Sequence, residues 1–165
     1  MSRPIVAIVG RQNVGKSTLL NRLAGRQIAI TEDLPGTTRD RVVADVSWNG
    51  RDFIMVDTGG LEPDPETDMA KAVQSQVETA VAEANVIVFL ADAQTGLTPF
   101  DRDVANMLRK SNKPIVVAAN KADNLTLETH AAEFYELGLG EPIPVSAHLQ
   151  NQLDYLIYNF VKFVK

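Results

Sequence analysis

The chain has 165 residues, which suits one domain with a sizeable core, and its 45% apolar and 22% charged residues are ordinary for a globular protein. A net charge of −5 argues against general binding to nucleic acid or anionic membranes by charge alone, and the lack of cysteine excludes disulfides and thiolate metal ligands. No stretch approaches membrane-spanning length, and the N-terminal apolar run is too short for a signal peptide. We therefore expect a single domain over residues 1–165, cytoplasmic and without membrane contact.

Short β-branched runs alternate with segments of helical period along the chain. The predicted strands are 5–9, 41–48, 52–56, 86–90, 115–119 and 142–145, and the predicted helices are about 16–23, 69–83, 99–110, 125–137 and a closing amphipathic helix around 153–161. Asn49-Gly50 indicates a hairpin, whereas residues 26–39 lack a clear period and predict a loop. This alternation predicts an α/β fold, with a six-stranded, mostly parallel sheet, one antiparallel hairpin strand and helices on both faces.

Residues 10–17 read GRQNVGKS and match the phosphate-loop pattern G-x-x-x-x-G-K-[ST], directly after a buried strand and at the start of a helix. The glycines let backbone N–H groups approach phosphate oxygens, and the helix N-terminus adds partial positive charge. Lys16 is expected to reach the β- and γ-phosphates and Ser17 to hold Mg²⁺. The alternative, a glycine-rich turn with a solvated lysine, fits this placement poorly. The predicted nucleotide-binding residues here are Gly10, Arg11, Gln12, Asn13, Val14, Gly15, Lys16, Ser17 and Thr18.

A second polar segment, Asp57-Thr58-Gly59-Gly60, follows the strand after the hairpin. An aspartate at a strand end can join the Mg²⁺ shell through water, and the backbone N–H of Gly60 can approach a γ-phosphate with no side chain in the way. On its own the segment could equally be a solvated strand end, but after a phosphate loop it predicts nucleotide contacts.

The segment NKAD, residues 120–123, follows the strand 115–119. The Asp123 carboxylate can accept hydrogen bonds from the N1–H and the exocyclic amine of guanine, which adenine cannot supply. The Lys121 stem can cover the base, and Asn120 can tie this loop back to the phosphate loop. Four isolated residues would be a polar turn; behind a phosphate loop they predict guanine binding, and Ser146-Ala147 can add a backbone N–H to the guanine carbonyl.

The loop 26–39 carries the switch candidate, because residues 36–40 read GTTRD. A threonine here can complete Mg²⁺ coordination only while a γ-phosphate holds the loop closed. Thr38 is preferred over Thr37, although spacing alone does not separate them, and a threonine-rich surface loop is the alternative.

These elements, in this order, resemble the signature of the Ras-like GTPase superfamily. The segments GRQNVGKSTLLNRLAGR, PGTTRDR, DTGGLEP, GLTPFDRDVANMLRKSNKP and NKADN resemble the first GTPase domain of the Der (EngA) family of bacterial ribosome-assembly GTPases. The resemblance covers almost the whole chain. Gln12 departs from the proline usual in the family, and residues 148–151 depart from its glycine-bearing stretch.

The resemblance implies a Ras-type sheet order, binding of GTP and GDP, Mg²⁺-dependent hydrolysis of GTP, and a role in maturing the large ribosomal subunit. It also implies that the second GTPase domain and the KH-like domain of that family are missing from this chain, and we expect the isolated domain to be monomeric.

Hydrolysis needs a particular device here, because Leu61 stands where the best-known Ras-like enzymes place a water-orienting glutamine. Asn13 together with the Thr-Thr-Arg switch resembles the potassium-activated GTPases, in which K⁺ held by the asparagine sits where an arginine finger would. The expected catalytic residues are therefore Asn13, Lys16, Thr38 and Gly60. Arg39 as an internal finger is a weaker alternative, and Asn13 can also be a cap that only stiffens the loop.

Two other functions compete with GTP hydrolysis. The first is a nucleotide-gated binding module that changes its switch loops but hydrolyses little GTP. Leu61 is compatible with this function, because it cannot orient the attacking water. The second is a P-loop kinase or ATPase, with which Asp123 conflicts.

Overall fold

The computed structural model of the chain describes residues 3–11, 14–24, 28–31, 41–57, 69–149 and 152–163. The strands in these ranges are β1 (Ile5–Val9), β2 (Ile28–Thr31), β3 (Arg41–Trp48), β4 (Arg51–Asp57), β5 (Val86–Asp92), β6 (Ile115–Asn120) and β7 (Ile143–Pro144). The helices are α1 (Lys16–Ala24), α2 (Met69–Glu83), α3 (Pro99–Arg109), α4 (Leu125–His130) and α5 (Leu153–Val161), with a 3₁₀ helix at Ala131–Leu137. None of these helices combines the length and apolar character needed to cross a bilayer.

The strands form one sheet in the order β2-β3-β4-β1-β5-β6-β7. β3 runs antiparallel to β2 and β4, and the other neighbouring pairs are parallel. The predicted doubly wound sheet with one antiparallel hairpin strand is confirmed, and the hairpin turns at Asn49 and Gly50, both at positive φ. The count of six strands omits β2, which lies within the predicted loop 26–39 and pairs with β3 from Ile28↔Ala44 to Thr31↔Arg41.

The helices cover both faces of the sheet, and the alternation of side chains along the central strands sorts them into two cores. Val6 and Ile8 of β1 point to the face packed by α1 and α5. Ala7 and Val9 point to the face packed by α2, α3 and the 3₁₀ helix. Every residue of β5 is buried, as expected for a parallel strand covered on both sides. The last residues of β4, β5 and β6, which are Asp57, Asp92 and Asn120, are buried at the ends of these strands.

The predicted helix 125–137 is correct only as far as His130, where α4 passes into the 3₁₀ helix. Its buried residues there, Ala131, Phe134 and Leu137, are spaced by three. A 3₁₀ helix has three residues per turn and aligns this spacing on one face, whereas an α-helix would turn the last side chain away. Gly138 then ends the helix in the left-handed region with φ 71°.

The N-terminus of α3 is closed by a capping box in which Thr98 Oγ1 accepts from the Asp101 N–H at 3.2 Å and Asp101 Oδ2 accepts from the Thr98 N–H at 3.0 Å. Asp101 is only 1% exposed. Its burial raises the pKa of the Asp101 carboxyl, and the hydrogen bonds from Thr98 oppose that rise only in part.

A first prediction follows for the pH dependence of stability. Because the folded pKa of Asp101 is raised, its contribution is fully present below the unfolded value of about 3.9 and is lost as pH rises through the folded pKa. Asp101→Asn keeps an acceptor for the Thr98 N–H but cannot ionise. At pH 7 we expect its free energy of unfolding in urea to equal or exceed that of the wild type, whereas Thr98→Ala should lose about 1 kcal/mol. A free energy of unfolding below that of the wild type in Asp101→Asn at pH 7 would contradict this.

Candidate nucleotide-binding site

The phosphate loop joins the end of β1 to the start of α1, and the structure describes Gly10, Arg11 and the residues from Val14 onward. The Lys16 ammonium lies inside the loop, where its Nζ donates to Gly10 O at 2.6 Å and to Arg11 O at 3.2 Å. A Cβ on Gly10 would lie 2.5 Å from the carbonyl oxygen of Leu90. Glycine at position 10 therefore lets the loop start directly against β5.

Lys16 is buried to 6% exposure at the bottom of this loop. Burial lowers the pKa of its ammonium, and the nearby Asp57 carboxylate raises it in part. A polyphosphate in the loop would add negative charge beside Nζ and favour the charged lysine.

Ser17 and Asp57 meet beside the loop, where the Ser17 hydroxyl donates to Asp57 Oδ2 at 3.4 Å. Asp57 is 1% exposed and ends β4. A hydroxyl and a carboxylate are the hard oxygen ligands that Mg²⁺ prefers, so this pair fits the ion. Within the described ranges no group of three or more His, Cys, Asp or Glu side chains is placed to hold a metal.

Asn120, at the end of β6, connects the phosphate loop with the loop after β7. Its Nδ2 donates to Val14 O at 2.9 Å, and its Oδ1 accepts from the Ala147 N–H at 3.0 Å. The side chain is nearly fully buried, so both bonds are shielded from water. The tie from Asn120 to the phosphate loop is the one predicted from the sequence. Glycine at position 15 leaves room for the Asn120 side chain, since a Cβ there would lie 2.3 Å from Asn120 Nδ2. The backbone of Gly15 is also in the left-handed region, with φ +98°.

Asp123 is held by neighbours on two sides. Its Oδ1 accepts from the Ser146 hydroxyl at 2.6 Å, and its Oδ2 accepts from Gln94 Nε2 at 3.5 Å. The contribution of Ser146 is thus the orientation of the Asp123 carboxylate. The predicted contact of Ala147 with a guanine carbonyl would have to share the N–H that Ala147 donates to Asn120.

Two residues that sequence reasoning missed, Asp92 and Gln94, adjoin this loop. Asp92 ends β5 and is the register partner of Asn120 in β6. Its Oδ2 forms an ion pair with Lys121 Nζ at 3.0 Å. The pairing of β5 with β6 brings Asp92 close to Lys121. A motif along the chain does not reveal this contact, because the two residues are far apart in sequence.

The structure thus gathers Lys16, Ser17 and Asp57 at one end of the site, with Asn120, Lys121, Asp123, Ser146 and Ala147 at the other. Several predicted residues lie outside the described ranges, and their placement stays a prediction: Gln12, Asn13, Thr38, Thr58, Gly59 and Gly60. Also outside the described ranges are Thr37 and Arg39, the alternatives to Thr38 and to potassium activation, and residues 150 and 151 of the stretch that differs from the family pattern.

The family described as 50S ribosome-binding GTPase matches residues 5–121 of the chain. GTPase Der of Clostridium kluyveri is 52% identical over 164 residues, which cover 97% of this chain and 37% of that protein. The chain therefore spans little more than a third of this relative's length.

Two solved structures of Era are similar over the whole of this chain and 58% of theirs. A variant of Aquifex aeolicus Era bound to GDP.AlF4- has a TM-score of 0.75 at 35% identity. Era in complex with MgGDPNP and nucleotides 1506–1542 of 16S ribosomal RNA has a TM-score of 0.73 at 30% identity. These likenesses agree with the Ras-like sheet order that the chain adopts.

Proposed function

Because the chain belongs to the family of 50S ribosome-binding GTPases, we propose that it binds GTP and GDP and hydrolyses GTP. The observation that carries this proposal is the Asn120 side chain, which joins the phosphate loop at Val14 to the base-side loop at Ala147. One buried amide thereby fixes the distance between a phosphate site and a base site, as a nucleotide of fixed length requires.

At the phosphate end, backbone N–H groups of the loop and the N-terminus of α1 would bind the phosphates, with the Lys16 ammonium at the β- and γ-phosphates. Ser17 and Asp57 would hold Mg²⁺, with Thr38 completing the shell when the switch closes. When bound, this ion supplies charge neutralisation at the phosphate oxygens. The MgGDPNP complex of Era, a similar structure, supports this assignment.

At the base end, Asp123 would accept from the N1–H and the exocyclic amine of guanine. Ser146 already donates to Oδ1 at 2.6 Å, so the carboxylate would bind the base without first having to be oriented. Adenine would displace water from the Asp123 carboxylate without donating hydrogen bonds in its place, which costs about 1–3 kcal/mol. This cost supports GTP over ATP as the substrate.

For the hydrolysis step we propose potassium activation. Asn13 would hold K⁺ next to the phosphates, where a positive charge stabilises the charge that develops on the leaving group. Backbone groups near Thr38 and Gly60 would orient the attacking water, because Leu61 offers no hydrogen-bonding side chain. The support is the resemblance of Asn13 and the Thr-Thr-Arg switch to potassium-activated GTPases.

A second prediction tests hydrolysis and potassium activation together. Single-turnover phosphate release from GTP should be at least about tenfold faster in KCl than in NaCl at equal ionic strength, because Na⁺ is too small to replace K⁺ at the same ligands. Asn13→Asp should remove the difference between the two salts. Equal rates in both salts, or a potassium response that survives Asn13→Asp, would exclude the ion. Phosphate release no faster than spontaneous hydrolysis in KCl would leave the nucleotide-gated binding module as the function.

We further propose that the chain acts in the cytoplasm on the large ribosomal subunit, together with the second GTPase domain and the KH-like domain of the Der family. The family description and the identity to GTPase Der support this. The measurement that checks the ribosomal partner is co-sedimentation: the GTP-bound chain should pellet with purified large subunits and should not pellet with small subunits.

A further inference from the structure

Lys121 has an uncommon backbone for a lysine, with φ +65° in the left-handed region. A non-glycine residue pays about 1–2 kcal/mol for this conformation. The surrounding loop must therefore hold the backbone of Lys121 in this conformation. The loop conformation then sets the direction in which the Lys121 side chain points.

The other end of that side chain is fixed by Asp92. Lys121 Nζ lies 3.0 Å from Asp92 Oδ2, with the lysine side chain 34% exposed and the aspartate side chain 6% exposed. With its backbone and its ammonium both held, the aliphatic stem between them has little freedom left.

Asp92 is itself well anchored. Its Oδ1 accepts from the N–H groups of Gln94 at 2.8 Å and Thr95 at 3.2 Å, and its Oδ2 accepts from Thr95 Oγ1 at 3.2 Å. Burial raises the pKa of Asp92, but the hydrogen bonds from Lys121, Thr95 and Gln94 together outweigh it, and the pKa is lowered. Asp92 is therefore a carboxylate held in its charged form at neutral pH.

The two strand ends that carry this pair are also joined through the backbone. The Ala93 N–H donates to Asn120 O at 2.8 Å, directly between Asp92 and Lys121. A second contact joins the turn after β5 to the base-side loop, because Gln94 on that turn donates to Asp123 Oδ2 at 3.5 Å.

We propose that Asp92 is a positioning residue for guanine-nucleotide binding: its carboxylate anchors the Lys121 ammonium and so holds the Lys121 stem where it covers the base. This inference rests on the proposed function, because it assumes that the base lies between Lys121 and Asp123. Asp92 does not touch the nucleotide, and it acts through the lysine.

A double-mutant cycle on the 165-residue chain tests this, with GDP affinity measured by calorimetry and folding by thermal unfolding. Asp92→Asn keeps an acceptor for the turn but removes the ion pair, and Lys121→Met keeps the stem but removes the ammonium. Each change should weaken GDP binding about 5- to 10-fold. This is the effect expected from losing one charge-assisted contact that is weakened by its partial exposure to water. The double variant should bind GDP no more weakly than the weaker single variant, because both changes remove the same anchor.

Glu133→Gln is the matched control. The Glu133 carboxylate accepts from the Leu97 N–H and anchors the same loop at its far end, away from Lys121. This variant should keep GDP affinity within about 2-fold of the wild type, as expected for an exposed change remote from the site.

Three outcomes would overturn the inference: wild-type affinity in Asp92→Asn, losses that add in the double variant, or an equal loss in Glu133→Gln. If Asp92→Asn fails to fold, Lys121→Met decides, because wild-type affinity in that variant means that the anchor is dispensable. A wild-type chain that does not bind GDP would instead contradict the proposed function itself.

Discussion

Replacing Gly15 by alanine is expected to lower GDP affinity by at least about 100-fold, because the added methyl group would displace the Asn120 side chain. Its Cβ would lie 2.3 Å from Asn120 Nδ2, and the backbone at φ +98° is already unfavourable for alanine. Displacing Asn120 breaks its bonds to both Val14 and Ala147. The loss of two buried hydrogen bonds of about 1 kcal/mol each and the strain of about 1–2 kcal/mol lower the free energy of unfolding. GDP affinity falls because the phosphate loop and the base-side loop are no longer held together in the geometry that the nucleotide needs. Binding of a fluorescent GDP analogue, with urea unfolding alongside, measures both effects.

Gly140→Ala is the matched control for this variant. Gly140 has almost the same φ, +102°, and a Cβ there meets nothing within 4 Å. It should lose about 1–2 kcal/mol of stability and keep its GDP affinity. If Gly140→Ala weakened GDP binding as much as Gly15→Ala, backbone strain and not the contact with Asn120 would explain the loss.

The second large effect is expected at Asp123, where asparagine should exchange guanine for xanthine as the preferred base. An amide accepts from N1–H through its oxygen, but its NH₂ group faces the exocyclic amine of guanine, donor against donor. Xanthine carries a carbonyl there and restores the bond. We expect Asp123→Asn to bind GDP at least about 100-fold more weakly and to bind xanthosine diphosphate more tightly than the wild type does.

Asp103→Asn, the same change at an exposed position in α3, should leave both affinities unchanged. Competition with ATP completes the experiment. A wild type that prefers ATP to GTP, with the preference unchanged in Asp123→Asn, would support the P-loop kinase or ATPase and contradict guanine recognition by Asp123.

Most of the fold was predictable because its elements carry local signals. The unbroken apolar runs of β1, β5 and β6 mark buried parallel strands, and Asn49-Gly50 marks the hairpin. β2 carried no such signal, because four residues are too few to show an alternation and its partner β3 supplies the hydrogen bonds that define it. The change from α4 to the 3₁₀ helix was likewise set by how Ala131, Phe134 and Leu137 pack.

The candidate site divides in a similar way. Lys16, Asp57 and Asn120 were found in the sequence because each follows a strand in a motif with its own mechanism. Asp92 was not, since its importance comes from Lys121, which directly follows β6, the next strand of the sheet. The contact of the Ser146 hydroxyl with Asp123 Oδ1 was not predicted either, because it depends on side-chain directions that sequence spacing does not encode.

The central place of β1 has a consequence for how the chain folds during synthesis. β1 precedes both of its partners in the chain, because it pairs with β4 from Ile5↔Ile54 and with β5 from Val6↔Val86. Until those later strands emerge, an apolar strand with two unsatisfied edges has no native partner, which makes it slow to fold and prone to association. The strand that positions the phosphate loop is thus made well before its partners, and the nascent chain is most exposed to misfolding before β5 appears.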